Sequence, residues 1–127
     1  MGGKLQRSEI ARSGGYINNQ EKEFAMRMML NVTFPNEPFN TAVCEGTVGP
    51  MIKRILEETK PEAVYFTEID GLRGAVLIVN VDSASQIPSL SEPWFLNFDA
   101  DCKFRIVMTP EDLMKSGLDE LGKKWGG

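Results

Sequence analysis

The sequence predicts an α+β fold: a four-stranded antiparallel sheet with two helices packed on one face, in the chain order βαββαβ. Three observations carry that expectation. "MRMMLNVTF" and "CKFRIVM" alternate apolar and polar residues with the period of a strand. "AVYFTEIDGLRGAVLIVNV" reads as two strands joined by a tight turn at Asp70-Gly71. Between the first strand and this hairpin, apolar residues recur at helical spacing. At 127 residues the chain is long enough for one domain with a single core.

Residues 1–24, rich in Gly, Ser, Asn and charge and without periodicity, are expected to form an arm outside the core, leaving residues 25–127 as the domain. The first strand, Met26–Phe34, sets Met28, Leu30, Val32 and Phe34 against Arg27, Met29, Asn31 and Thr33. "PNEP" then breaks it, because proline cannot continue a ladder. From Cys44 onward, Cys44, Val48, Met51, Ile52, Ile55 and Leu56 share one helix face. Gly49 and Pro50 lie within that stripe and predict a kink or break there. Ala63–Glu68 and Arg73–Val81 are the hairpin strands. A short helix is expected over Ala84–Ser91, with Asp82 or Ser83 as its cap, followed by a Pro93-Trp94-Phe95 segment that plugs the core. Cys102–Met108 is the last strand. Thr109 as N-cap, Pro110 at the first helical position and acidic Glu111 and Asp112 in the first turn predict a helix to Ser116, ended by Gly117. Leu118, Leu121 and Trp125 then recur at helical spacing, the pattern of a tail docked on a subunit.

Composition narrows the function classes. The net charge is −4, from 14 basic and 18 acidic residues, and the basic residues are scattered, so nucleic acid is not an expected partner. No apolar run approaches the roughly 20 residues of a membrane helix, and the N-terminus has no apolar signal region, which makes the cytoplasm the expected location. Cys44 and Cys102 are expected as buried, unpaired thiols. The chain has no histidine, which removes Ser-His-Asp triads, histidine-rich metal sites and histidine-ligated haem. "GTVGPMIKR" lacks the ending of a phosphate-binding loop, and the "NVT" sequon sits inside a strand. No cofactor or metal is expected.

The order βαββαβ is that of a ferredoxin-like split βαβ, in which right-handed crossovers put both helices on one face of the sheet. The other face would carry Met29, Tyr65, Val107 and one of the two apolar sets of the third strand, Ala75/Leu77/Val79 or Val76/Ile78. That is too much apolar surface to leave to water, and a second copy of the chain, packed sheet to sheet, would cover it. In keeping with this, "PEAVYFTEIDGLRGAVLIVNV" and "EPWFLNFDADCKFRIVMTPEDL" resemble the dimeric α+β barrel superfamily, which contains muconolactone isomerases, YCII-like proteins and antibiotic-biosynthesis-type monooxygenases. Within it the chain most resembles a small bacterial family of unknown function. The resemblance covers about Met26 to Trp125 and implies a homodimeric barrel with a small-molecule cavity in each half. It implies no particular activity, because one fold hosts many.

The candidate ligand-binding residues are the polar minority on the face turned to the partner. Tyr65 and Thr67 share it, and Arg27, Asn31, Thr33, Lys103 and Arg105 fall on the less apolar side of their strands. Arg105 as a bidentate clamp and Tyr65 as a hydrogen-bond donor suit a carboxylate or an enol. Equally, Arg27, Lys103 and Arg105 can be rim charges paired with Glu68 or Asp70. Trp94 and Phe95 either line a pocket or fill the core. Glu45 is a candidate base or a solvated helix carboxylate, and Asp99 and Asp101 are candidate paired acids or turn residues. Two functional readings stand. One is a barrel that binds a small anionic or enolisable organic molecule, as in isomerases or oxygenases that need no cofactor. The other is a non-catalytic homodimeric binding or accessory module with a filled interior.

Overall fold

The computed structural model describes residues 26–127; the arm assigned to residues 1–24 lies outside them. Strand β1 (Met26–Phe34) pairs antiparallel with β3 (Leu72–Val81) on one side and with β4 (Asp101–Val107) on the other, and β3 pairs antiparallel with β2 (Ala63–Ile69). The sheet order is β2-β3-β1-β4. Hence β1 runs parallel to β2 with β3 between them, and β3 runs parallel to β4 with β1 between them. Helices α1 (Asn36–Glu45) and α2 (Val48–Thr59) make the first crossover. A 3-10 turn at Ala84–Gln86 leads into α3 (Ile87–Phe98), which makes the second, and α4 (Pro110–Lys115) and α5 (Leu118–Trp125) follow β4.

Alternation along β1 and β3 decides which side becomes the core. Met28, Leu30, Val32 and Phe34 are buried, and in register with them lie Val79, Leu77 and Ala75 of β3. The helices close this face with Ile55 from α2 and Leu90, Trp94 and Phe98 from α3. Each such side chain contributes on the order of 1.5–3 kcal/mol when fully buried. At one end of the core the Phe34 ring meets Phe39, Trp94 and Phe98 edge-on, at centroid distances of 5.1, 5.7 and 5.2 Å. The Arg73 guanidinium lies 4.4 Å from the Phe39 ring centroid and lids that cluster.

The hairpin forms as its turn residues require. Asp70 and Gly71 both take left-handed backbone, with φ of 53° and 83°, which is the type I′ geometry of a two-residue loop. The Gly71 N–H donates to Glu68 Oε2 at 2.7 Å. The helix start at Thr109 is likewise reciprocal: the Asp112 N–H donates to Thr109 Oγ1 at 3.1 Å and the Thr109 N–H to Asp112 Oδ2 at 3.0 Å.

Three helical expectations need correction. The stripe from Cys44 is not one helix kinked or broken at Gly49-Pro50. The break falls earlier, at Gly46, whose φ of 74° ends α1 while its N–H donates to the Val43 carbonyl at 3.1 Å. Pro50 then sits in the first turn of α2, where its missing donor has no intrahelical acceptor to disappoint. The segment after Phe34 is also helical rather than irregular, because Phe39 and Ala42 pack inward. Further on, the helix expected to stop at Ser91 runs through Pro93 to Phe98. Leu90, Trp94 and Phe98 recur every four residues on its buried face, while Ser89, whose carbonyl Pro93 leaves unbonded, is exposed to water.

Trp94 is fully buried, yet its indole N–H has no hydrogen-bond partner. Trp94→Phe is therefore expected to cost under about 1.5 kcal/mol in urea unfolding, because it removes an unsatisfied donor along with some volume. Trp94→Ala, which opens a cavity, should cost about 3–5 kcal/mol. Equal losses from the two substitutions would contradict the packing described.

Candidate functional site

One face of the sheet carries the helices; the other carries none of the buried core. Four cross-strand rows, with the Ile69–Leu72 pair at the hairpin end, make up this open face. From β2 to β4 they run Ala63–Ile78–Met29–Arg105, Tyr65–Val76–Asn31–Lys103 and Thr67–Gly74–Thr33–Asp101, and a last row joins Asn80, Arg27 and Val107. The register thus settles which apolar set of β3 turns to the core, Ala75/Leu77/Val79, and leaves Val76 and Ile78 on the open side with Met29. All three are half-buried within a single chain only by their neighbours in the sheet.

Of the five residues singled out from sequence, Tyr65, Thr67, Asn31 and Arg105 lie on this face and Trp94 does not. Trp94 is in the helix-side core, behind the sheet. The four on the open face fall into two groups. Tyr65, 68% exposed, and Thr67 stand two apart on edge strand β2. Arg105 stands on the opposite edge strand β4, diagonal to Asn31 on β1. Three inter-strand steps separate β2 from β4, about 14 Å at the usual spacing. One small molecule cannot touch Tyr65 and Arg105 of the same chain directly.

The flanking charges are engaged differently from expectation. Arg27 pairs with Glu62, ahead of β2, and not with Glu68 or Asp70: its Nε–H donates to Glu62 Oε1 at 2.9 Å. Asn80 Nδ2 donates to the same oxygen at 3.3 Å. The bond from Arg27 holds the Glu62 carboxyl below its usual range. Arg105 and Lys103 take part in none of the ion pairs found among the described residues. Glu45 closes α1 on the exposed surface, and Asp99 caps α3 in left-handed backbone with φ of 56°. No three potential metal-ligating side chains gather among the described residues, and none of the helices described is long and apolar enough to cross a membrane.

A groove of about 680 Å³ between α2 and α3 was not legible from the sequence. Ile55, Leu90 and Leu96 line it together with Arg54, Glu58 and Glu92; Asn80 also reaches it, whereas Asn31, Tyr65, Thr67 and Arg105 do not. Its charges looked like ordinary solvated helix faces, and only the packing of α2 beside α3 brings them round one hollow.

No protein-family model matches the chain, and no curated protein matches it. Among solved structures, it is similar to a chain described as "De novo designed protein Ferredog-Diesel", with 10% sequence identity, a TM-score of 0.38, and coverage of 75% of this chain and 98% of that one. That superposition is too loose to carry an argument about fold or function.

The two thiols differ in reactivity. Cys44 is exposed, whereas Cys102 is half-buried, and burial first, then the nearby Asp101 and Glu92 carboxylates, push its thiol up to about 12 from the usual 9.0. A disulfide reagent at pH 8 should titrate one thiol in the folded protein and two after denaturation. Because folding raises this pKa, the associated stability is intact below pH 9 and drains away as pH climbs towards 12. Two fast-reacting native thiols would contradict the placement of Cys102.

Proposed function

We propose that the chain is the ferredoxin-like subunit of a homodimeric α+β barrel, and that its two open sheet faces enclose a small anionic or enolisable organic molecule. The observation that carries this reading is β3, which is apolar on both faces: Ala75, Leu77 and Val79 are buried under the helices, while Val76 and Ile78 meet no covering element among the described residues. A second open face supplies the cover without leaving either copy an uncovered side.

A two-fold axis between the sheets can run along the strands or across them. An axis across the strands would set β4 over the partner's β4 and leave Arg105 and the partner subunit's Tyr65 at opposite edges of the interface. An axis along the strands sets β4 over the partner's β2, whose open-face residues Ala63, Tyr65, Thr67 and Ile69 carry no charge. That arrangement favours a composite site, in which Arg105 of one subunit lies over the partner subunit's Ala63, one row diagonal to the partner subunit's Tyr65, so that two groups held apart within one chain come within reach of one molecule. The Arg105 guanidinium would grip an anion with its fork of donors; the phenol would donate a hydrogen bond. Asn31 and Thr67 flank the two groups and orient the rest of the molecule. Fixed donors beside an enolisable carbon also stabilise an enolate, the step on which isomerisation or oxygenation without a cofactor rests.

Light scattering at micromolar concentration should give twice the chain mass, and Ile78→Asp should give a monomer, because it sets two carboxylates against apolar neighbours. A screen of small carboxylic acids read by thermal shift should find ligands whose effect Arg105→Ala and Tyr65→Phe each abolish. Mixing these two variants is decisive for the composite site. Each heterodimer then holds one intact site, so about a quarter of the wild-type binding capacity should return. No rescue on mixing would place both groups in one chain's site, and absence of any shift would favour the filled, non-catalytic module.

A further inference from the structure

The register gives Lys103 a place that spacing along the chain does not show. On the open face it stands directly opposite Asn31 of β1, in the row that begins at Tyr65. A two-fold axis along the strands preserves the rows while it exchanges the edges. Lys103 therefore lies over the partner subunit's Tyr65, just as Arg105 lies over the partner subunit's Ala63. That puts Lys103 nearer than Arg105 both to Asn31 and to the partner's phenol. The two cations stand two residues apart on one strand, about 7 Å. Both are exposed in the single chain, and neither forms an ion pair among the described residues.

We infer that Lys103 is a binding residue of the composite site and that the site takes a small dicarboxylate: Arg105 grips one acid group, and Lys103, with Asn31 and the partner subunit's Tyr65, holds the other. This rests on the sheet-to-sheet dimer proposed above, with its axis along the strands. Closing the second sheet over β4 strips water from two cations and sets them against the partner subunit's Ala63 and the partner subunit's Tyr65, which carry no charge. Neighbouring like charges without a counter-charge are costly once desolvated, and a single carboxylate cancels only half of theirs. A dicarboxylate cancels both. The two anchors also differ in kind, since the guanidinium offers a planar fork and the ammonium a point charge with three donors. The partner subunit's Ala63 sets only a methyl group under Arg105, which leaves room for the carboxylate there. Asp101 follows two residues beyond Lys103 on the same face and forms no ion pair with it among the described residues. Its carboxylate repels an anion that slides that way, so the molecule is confined to the stretch between Lys103 and Arg105.

The test is titration calorimetry on the full-length protein with succinate, glutarate and adipate, and with butyrate and hexanoate as single-carboxylate controls, while light scattering follows the mass. The best dicarboxylate should bind at least about tenfold tighter than either monocarboxylate. Lys103→Met changes an exposed side chain and should remove that preference, leaving the dimer and the monocarboxylate affinity as they were. Lys103→Arg, which keeps the charge, should retain most of it. Mixing variants tells residues of one chain from residues of two. Lys103→Met mixed with Tyr65→Phe should regain dicarboxylate binding, because the two residues reach the site from different chains. Lys103→Met mixed with Arg105→Ala should regain none, because one β4 strand supplies both. Equal affinity for the two classes of acid in the wild type, or a preference that survives Lys103→Met, overturns the inference and leaves the Arg105 site standing. Equal loss of both classes makes Lys103 a general attractor of anions and overturns it too, as does rescue between Lys103→Met and Arg105→Ala, which would put the cations in separate sites. A monomer, or a dimer that binds none of these acids, removes the enclosed anion site and the inference together.

Discussion

The pairing of β1 with β3, Leu30 opposite Leu77 and Val32 opposite Ala75, is the constraint on which the rest of the molecule depends. Both strands lie at the centre of the sheet, so their register fixes which residues of every strand face the helices. A slip of one residue would turn Arg27, Asn31 and Thr33 into the core, at a cost of several kcal/mol for each charge or amide left unpaired. Because three of the four residues on the other side of β1 are polar, it tolerates no such slip. Strand β3, apolar on both sides, would accept either register, and so takes its orientation from β1.

That dependence has a functional consequence. Once β1 has chosen the core side, the polar residues Asn31, Tyr65, Thr67 and Arg105 are all carried to the open face, but Tyr65 and Thr67 lie at the opposite edge of it from Arg105. A four-stranded sheet is too wide for side chains on its two edge strands to meet over a small molecule. On the proposed two-fold arrangement that separation becomes an advantage, since the edges exchange places in the partner. Binding and association would then be linked, because a molecule held by both subunits stabilises the dimer as well as the fold.

The helix side tells a complementary story about edges. Strands β1 and β3 are covered there, while β2 and the end of β4 are not: Phe66 and Ile106 both remain exposed. Edge strands with apolar side chains invite pairing with other chains, and proteins meet that hazard by covering them.

The sequence by itself determined the elements whose signal is local. Alternation placed the strands within about a residue of their ends, Asp70-Gly71 specified the turn because only left-handed backbone closes a two-residue hairpin, and Thr109-Pro110 with its acidic first turn specified a helix start. It also showed that one face of the sheet would lack a cover. Wherever the deciding contact is distant along the chain, tertiary structure made the choice. Pro93 reads locally as an end, but Trp94 and Phe98 gain more by packing against Phe34 than the helix loses at one carbonyl. Gly46 rather than Gly49-Pro50 ends the first helix, because α2 must restart at the angle that lays Ile55 on the sheet. Which side of β3 turned inward, the fate of Trp94 as core rather than lining, and the distance between Tyr65 and Arg105 all follow from strand order. Beyond the β2–β3 hairpin, strand order is a property of pairings between residues roughly 40 to 80 positions apart, and no local pattern encodes it.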